Sequence, residues 1–517
     1  MSGFVELTGE SLTVDEVVEV ARGGARVAVS EEALRRVRRA REVVERVFAS
    51  GEAVYGLNTG LGSFSRYRIP PEQLGRFSFA TMADQTSSYG RPLPTDVVRA
   101  MMVTRVNGMA KAGAGVRREL MQLLVEVLNR GLHPVVREVG SVGQSDLSEM
   151  SDIGKVLIGI GRAEVGGQLL DGREALARVG LQPIELAPKE ALGLISANGL
   201  TFGRGSLVLH DVADLADWLQ LSAALSLEGF AGNLSVIHPG AARLQPQVGL
   251  NTASARLREV LKGSYLWEPG AARNLQDPLS FRCVPRTHGA LYDALLYARS
   301  TLESELNAAN DNPLVLAEEG TIISVGNFDI AAAAMAFDLL RLAIANALKV
   351  ANERVQKLLW AEFSGLPSAL ALEQGASNGL KPMGRWSAAL AAEARSFANP
   401  VSLDYAGQVA EGVEDHASMG PLAVRRTHEL VSLAHRVIAH ELIIAAQAID
   451  MRRCRPLGRG TALAYETVRE LVPMLRDVGS WEPDVEGLVA AVAAGRFGTE
   501  AASVAAERQE PSEHSGS

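Results

Sequence analysis

Apolar residues recur at three- and four-residue steps through most of the chain, and polar residues fill the positions between them. That period is the signature of amphipathic helices. Thr13, with Asp15 and Glu16 behind it, reads as the N-cap of a helix reaching about Ala21. Ser30 opens a second helix over residues 31–48, closed by Gly51. Helical patterning returns over residues 94–131 and from Ser145 or Asp146 to about Gly161. Two patterns in the C-terminal half are unusually long. Residues 329–363 carry Ile330, Ala334, Phe337 and Leu340 on one face; residues 419–452 start with Pro421 and continue through Val424, Leu430, Leu433, Val437 and Ile444. Each predicts a helix of about 50 Å. Arg, Glu and His residues punctuate both, which argues for a long bundle rather than membrane spans, and helices of this length commonly pack against symmetry mates.

Two stretches break the period. Residues 55–68, YGLNTGLGSFSRYR, hold three glycines and an asparagine within their first eight positions and must form a loop; residues 131–146 are also irregular. Short β-branched pieces at 164–165 and 321–325 suit small hairpins, and nothing supports a large sheet. The fold class expected is all-α, with small β pieces only. Residues 1–200 are expected to form an N-terminal helical domain carrying the loops, residues 201–480 the long-helix bundle, and residues 502–517 a mobile tail without a sustained apolar face.

Composition narrows the function. Of 517 residues, 47% are hydrophobic and only 5% aromatic, enough apolar material for a large core packed through small side chains. The net charge of −9 and the scatter of Lys and Arg argue against nucleic acid or an anionic membrane as partner. Cys283 and Cys454 are too few for a disulfide framework or a cysteine-ligated zinc site. The first residues lack a basic-then-apolar leader, so a cytoplasmic location is expected.

Several residues could carry chemistry. Tyr55, at the mouth of the glycine-rich loop, could move a proton if its surroundings help, since a phenol ordinarily titrates near pH 10; the competing reading is a core tyrosine. Gly56, Gly60 and Gly62 make no phosphate loop, because no Gly-Lys-Ser/Thr follows. In residues 140–154, small residues lead into a helix N-terminus able to stabilise an anion, with Ser145 either a reactive hydroxyl or a plain N-cap. Arg282 could fork onto a carboxylate or serve a structural ion pair. Glu414, Asp415 and His416 are consecutive and do not share a helix face, and His428, His435 and His440 lack metal-site spacing, so no metal is expected.

Taken together and in order, these segments resemble one family, the histidine and aromatic amino-acid ammonia-lyases and related aminomutases. The matching segments are VYGLNTGLG at 54–62, RPLP at 91–94, GSVG at 140–143, Asn198 with Gly199, QDPLSFRC at 276–283, ELNAANDNPLV at 305–315, GNFD at 326–329 and EDHASMG at 414–420, spanning roughly residues 4–480. The resemblance implies a homotetramer with active sites shared between subunits, acting on an amino-acid-like carboxylate. It makes Tyr55 the catalytic base and Gly62 its loop partner. It makes Asn198, Gln276 and Arg282 substrate-binding or site-holding residues, with Arg282 on the α-carboxylate, and Phe328 and Glu414 pocket residues.

The pattern breaks where this family makes its electrophile, methylidene-imidazolone, from Ala-Ser-Gly. There the glycine nitrogen attacks the alanine carbonyl, and dehydration leaves an exocyclic methylidene. This chain reads Gln144-Ser145-Asp146, one residue shorter and without the third small residue that tight closure needs. Leu279 replaces a tyrosine, Asp84-Gln85 replaces a Ser-His pair, and Ser88 replaces a glycine. No prosthetic ring is therefore expected. The favoured reading is an enzyme that keeps Tyr55 as a base, with Ser145 at the helix N-terminus and Gln85 near the substrate's polar group, for elimination, addition, isomerisation or cyclisation. A non-catalytic binding protein and a conventional lyase with a cofactor built from Gln-Ser-Asp remain the alternatives.

Overall fold

The computed structural model describes residues 3–84, 88–373, 377–404, 407–476 and 481–495. Gln85 and the tail 502–517 lie outside them. The chain is mostly helical, as the periodicity predicts, with strands confined to one three-stranded and three two-stranded sheets among the described residues.

It divides into two compact units that take residues from both sides of position 200: one from residues 1–210, 297–338 and 400–425, the other from 211–296, 339–399 and 426–517. Four of the five boundaries fall within long helices, Gly199–Phe230, Val284–Leu306, Ala331–Leu359 and Gly420–Arg452.

In the first unit, the helix Val14–Ala21 starts at Thr13 with a full capping box to Glu16, and Glu31–Ser50 runs from the Ser30 cap to Gly51 in the left-handed region. Both pack on the helix Thr95–Ala110. Its Met101, Met102, Val103, Val106 and Met109 are fully buried, and its buried Arg105 is paired with Asp311 at 2.8 Å, as a charge on a helix at the centre of a core must be. Around it lie the expected hairpins, Arg162–Val165 with Gln168–Asp171 and Leu314–Leu316 with Thr321–Ile323. Three pairings were not foreseen, Phe4–Leu7 with Arg26–Val29, Tyr89–Pro92 with Arg137–Val139, and Leu132–Pro134 with Arg162–Val165.

In the second unit the long helices enclose a buried ionic knot. Arg354 Nε lies 2.5 Å from Glu441 Oε1, neither side chain reaches solvent, and the Ser222 and Ser226 hydroxyls each donate to Glu441 at 2.8 Å. By length and composition the helix Ala331–Leu359 could cross a membrane. Arg341 and Arg354 within it are fully buried, and Arg341 donates to the Phe397 and Asn399 carbonyls, which is how a core helix handles its charges. The expected helix over 329–363 is interrupted after Leu359, with a separate turn Ala361–Ser364 ended by Gly365 at φ +66°.

Candidate active site

The first unit holds a cavity of about 330 Å³ lined by Tyr55, Gln144, Ser145, Phe328, Asp329 and Glu414, with Leu147, Leu192, Ser196, Asn312, Gly326, Val413, Asp415 and His416 completing its wall. Five residues singled out from the sequence, Tyr55, Gln144, Ser145, Phe328 and Glu414, meet here although they are separated by up to 359 positions.

Tyr55 is set by the glycine-rich loop, which folds back on itself through Gly60 N–H to Tyr67 O at 3.0 Å and Ile69 N–H to Asn58 O at 2.9 Å. The Gly62 N–H donates to the Tyr55 hydroxyl at 3.1 Å. Gly62 has φ +54°, and a Cβ there would stand 3.2 Å from Ala410 Cβ, so glycine is what lets this amide reach the phenol. Burial holds the phenol above its ordinary range; the Gly62 N–H opposes that shift, and the nearby Glu414 charge adds to it. Burial also raises the Glu414 carboxyl.

Loop 140–146 is held from several sides. Ser145 is 5% exposed, carries φ +65°, and faces the cavity. Asp146 is fully buried at the start of the helix Leu147–Leu157. Its carboxylate does not cap that helix; it accepts the Thr201 N–H at 2.9 Å and the Ser141 hydroxyl at 2.8 Å, while its own N–H donates to Ala197 O at 2.7 Å. Below it, Glu149 is also fully buried, and among the described residues neither carboxylate oxygen has a hydrogen-bond partner. Burial and the neighbouring Asp146 push Glu149 up to about 8. Ser88, another altered position, gives its N–H and hydroxyl to Asp152 on the same helix.

Glu149 makes stability depend on pH. Its native value lies above its ordinary 4.5, so its contribution is complete below about pH 4.5 and is lost as pH rises through about 8. Glu149→Gln removes that dependence. The melting temperature of the variant is therefore expected to gain on the wild type by about 1–3 °C between pH 5 and 8.5; a constant difference across that range would contradict a buried, protonated Glu149.

The other sequence-predicted residues lie elsewhere. Asn198 is fully buried behind the cavity, where its amide donates to the Phe328 carbonyl at 2.9 Å and positions that ring. Gln276, Leu279 and Arg282 belong to the second unit. There Gln276 is exposed, and Leu279–Arg282 forms one short turn anchored by buried Phe281 stacked on Phe230 at 4.1 Å. Arg282 Nε is buried and has no hydrogen-bond partner among the described residues.

The sequence reading assigned no site role to Asp329, Asp415 or His416. All three line the cavity, and His416 Nε2 lies 3.2 Å from Asp329 Oδ2. The GNFD and EDH segments carried that signal. Together with Glu414 they make a wall that, among the described residues, has three carboxylates and no Lys or Arg. Such a wall, with the Tyr55 and Phe328 rings beside it, suits a cationic group.

The model of the aromatic amino acid lyase family matches residues 12–470. Histidine ammonia-lyase of Gloeobacter violaceus is 38% identical over 500 residues, 96% of this chain and 97% of that protein. The crystal structure of the ergothioneine-degrading enzyme ergothionase from Treponema denticola, in complex with desmethyl-ergothioneine sulfonic acid, matches with a TM-score of 0.92 at 30% identity, covering 96% of this chain and 99% of that one. Tyrosine aminomutase from Streptomyces globisporus matches with a TM-score of 0.89 at 29% identity, covering 97% and 98%.

Proposed function

Because this chain belongs to the aromatic amino acid lyase family, we propose that it is a β-eliminating enzyme that works without methylidene-imidazolone, on an amino-acid betaine of the ergothioneine kind. Such a substrate is a carboxylate whose α-nitrogen is already quaternary. One observation carries the reading: where the ring would be made stands Gln144-Ser145-Asp146, whose third residue bears a buried, hydrogen-bonded side chain and gives its own N–H to Ala197 O. Closure would have to give up the N–H bond to Ala197 O on a residue whose side chain is already fixed. These residues do not fit the group.

The chemistry follows from the chain's own residues. Tyr55, as phenolate, takes a proton from Cβ. The C–H electrons form the Cα–Cβ double bond, and the Cα–N bond breaks with its pair leaving on a neutral tertiary amine. The Glu414, Asp415 and Asp329 wall holds the ammonium. In the free site Tyr55 sits above its ordinary range partly because of Glu414. A fixed cation between them offsets that charge and favours the phenolate, so binding prepares the base. Likeness to ergothionase supports the betaine assignment. The reading also includes a cytoplasmic homotetramer, for which Leu339 and Leu342, 44% and 55% exposed on a long helix, offer an apolar face.

The histidine ammonia-lyase relatives favour a second reading, a conventional lyase with an atypical ring. Intact mass separates the two. The expected result is the encoded mass; a species lighter by two waters, about 36 Da, would establish the second reading and end the first.

A further inference from the structure

This inference rests on the cation-binding cavity of the preceding reading. Segment 142–145 is stitched to segment 416–419 by three hydrogen bonds: the Met419 N–H to Val142 O at 2.9 Å, the Ser418 hydroxyl to Gly143 O at 3.0 Å, and the Gln144 side-chain amide to His416 O at 2.5 Å. The approach is close enough that Gly143, at φ +90°, has no room for a Cβ, which would stand 2.3 Å from Ser418 Oγ. Gln144 also forms an isolated antiparallel bridge with Asp329, whose carboxylate in turn meets His416 Nε2. Three cavity-lining segments therefore converge on one residue. The first two stitches do not depend on what stands at position 144; the third exists only because its side chain is a donor.

We propose that Gln144 is a positioning residue for cation binding: by holding the His416 carbonyl it fixes the adjacent Glu414 and Asp415 opposite Tyr55 and Phe328. The residue that replaces the first member of a ring precursor thereby serves as a clamp. Its chemistry suits the place. An amide donates to the carbonyl without adding charge, whereas a carboxylate would repel that carbonyl and Asp329, and a lysine would neutralise the acidic wall that the cation needs. Because Gln144 acts through the backbone of 416, its loss changes where the carboxylates stand rather than how many there are.

Tetramethylammonium is the probe, since it presents the cation without carboxylate or ring. Its dissociation constant is measured by calorimetry on the full chain for the wild type, Gln144→Met, which keeps the length and removes the donor, and Gln144→Asn, which keeps the donor one methylene short. Loss of one hydrogen bond's worth of positioning is expected to weaken binding about 3–10-fold in Gln144→Met, with a smaller loss in Gln144→Asn and melting temperatures close to wild type. KM for a betaine substrate is expected to rise in parallel, with a lesser fall in kcat. Unchanged tetramethylammonium binding in Gln144→Met, or a loss in both variants that merely tracks melting temperature, would overturn the clamp. Failure of the wild type to bind the probe would overturn the clamp and the cation site together. Probe binding that responds to Gln144, without turnover of any betaine, would support the clamp and refute only the elimination reading.

Discussion

Tyr55→Phe is expected to lower kcat for a betaine substrate by about 10²–10⁴-fold, the usual contribution of a positioned general base, with much less effect on KM. The substitution removes one oxygen. The ring remains to pack in the cavity, and the acidic wall that would hold the cation is untouched. The lost oxygen is the one the Gly62 N–H addresses at 3.1 Å, a donor that favours the phenolate. The pH dependence supplies a second signature. The phenol is held above its ordinary 10.0 in the free protein, and kcat/KM reports the free enzyme. Wild-type kcat/KM should therefore still be climbing at pH 9 without a plateau, because the fraction of phenolate grows through that whole range. In Tyr55→Phe the residual rate should lose that slope. A variant that turns over normally, or keeps the same alkaline rise, would remove Tyr55 from the chemistry and leave the proton to another group.

What the sequence disclosed follows how local each signal is. Thr13, Ser30 and Gly51 mark helix ends because a cap is a contact among near neighbours, and the structure places helix ends at all three. The pairing of Tyr89–Pro92 with Arg137–Val139 joins strands too short to show an alternation and too far apart to show a turn. Asp146 illustrates the middle case. Its position before a helix was legible, but its partner Thr201 lies 55 residues away, and no spacing rule reaches that far. The cavity wall is likewise built from pieces near 55, 145, 328 and 414. Only the resemblance to a family put those segments in one place. Asp415 and His416 were set aside as metal ligands because consecutive residues on a helix diverge; here the segment before Gly420 is extended and irregular, and both residues, though exposed, line one cavity with Glu414.

The betaine is expected to exceed the matching primary amino acid in kcat/KM by about 10³-fold or more, measured as release of tertiary amine against release of ammonia under identical conditions. The cause lies in which proton the base meets. A primary ammonium held beside Glu414 and Tyr55 offers N–H protons far more acidic than the Cβ–H, so a phenolate is quenched by the substrate it should attack. The amine left behind is then neutral and would have to depart as an amide ion. An electrophile that captures the amino group solves that problem, and Gln144-Ser145-Asp146 is poorly suited to making one. A quaternary nitrogen solves it differently: it has no proton to give, its charge persists at every pH, and it leaves as a neutral amine. The fixed charge also offsets Glu414, whose field works against the Tyr55 phenolate in the free protein. Ergothioneine against its primary-amine counterpart tests this within one ring system, and L-histidine against its Nα-trimethyl betaine tests it within another. Comparable rates for both members of a pair would mean that the amino group is activated after all, and the loop at 144–146 would again be the first place to look for the activating group.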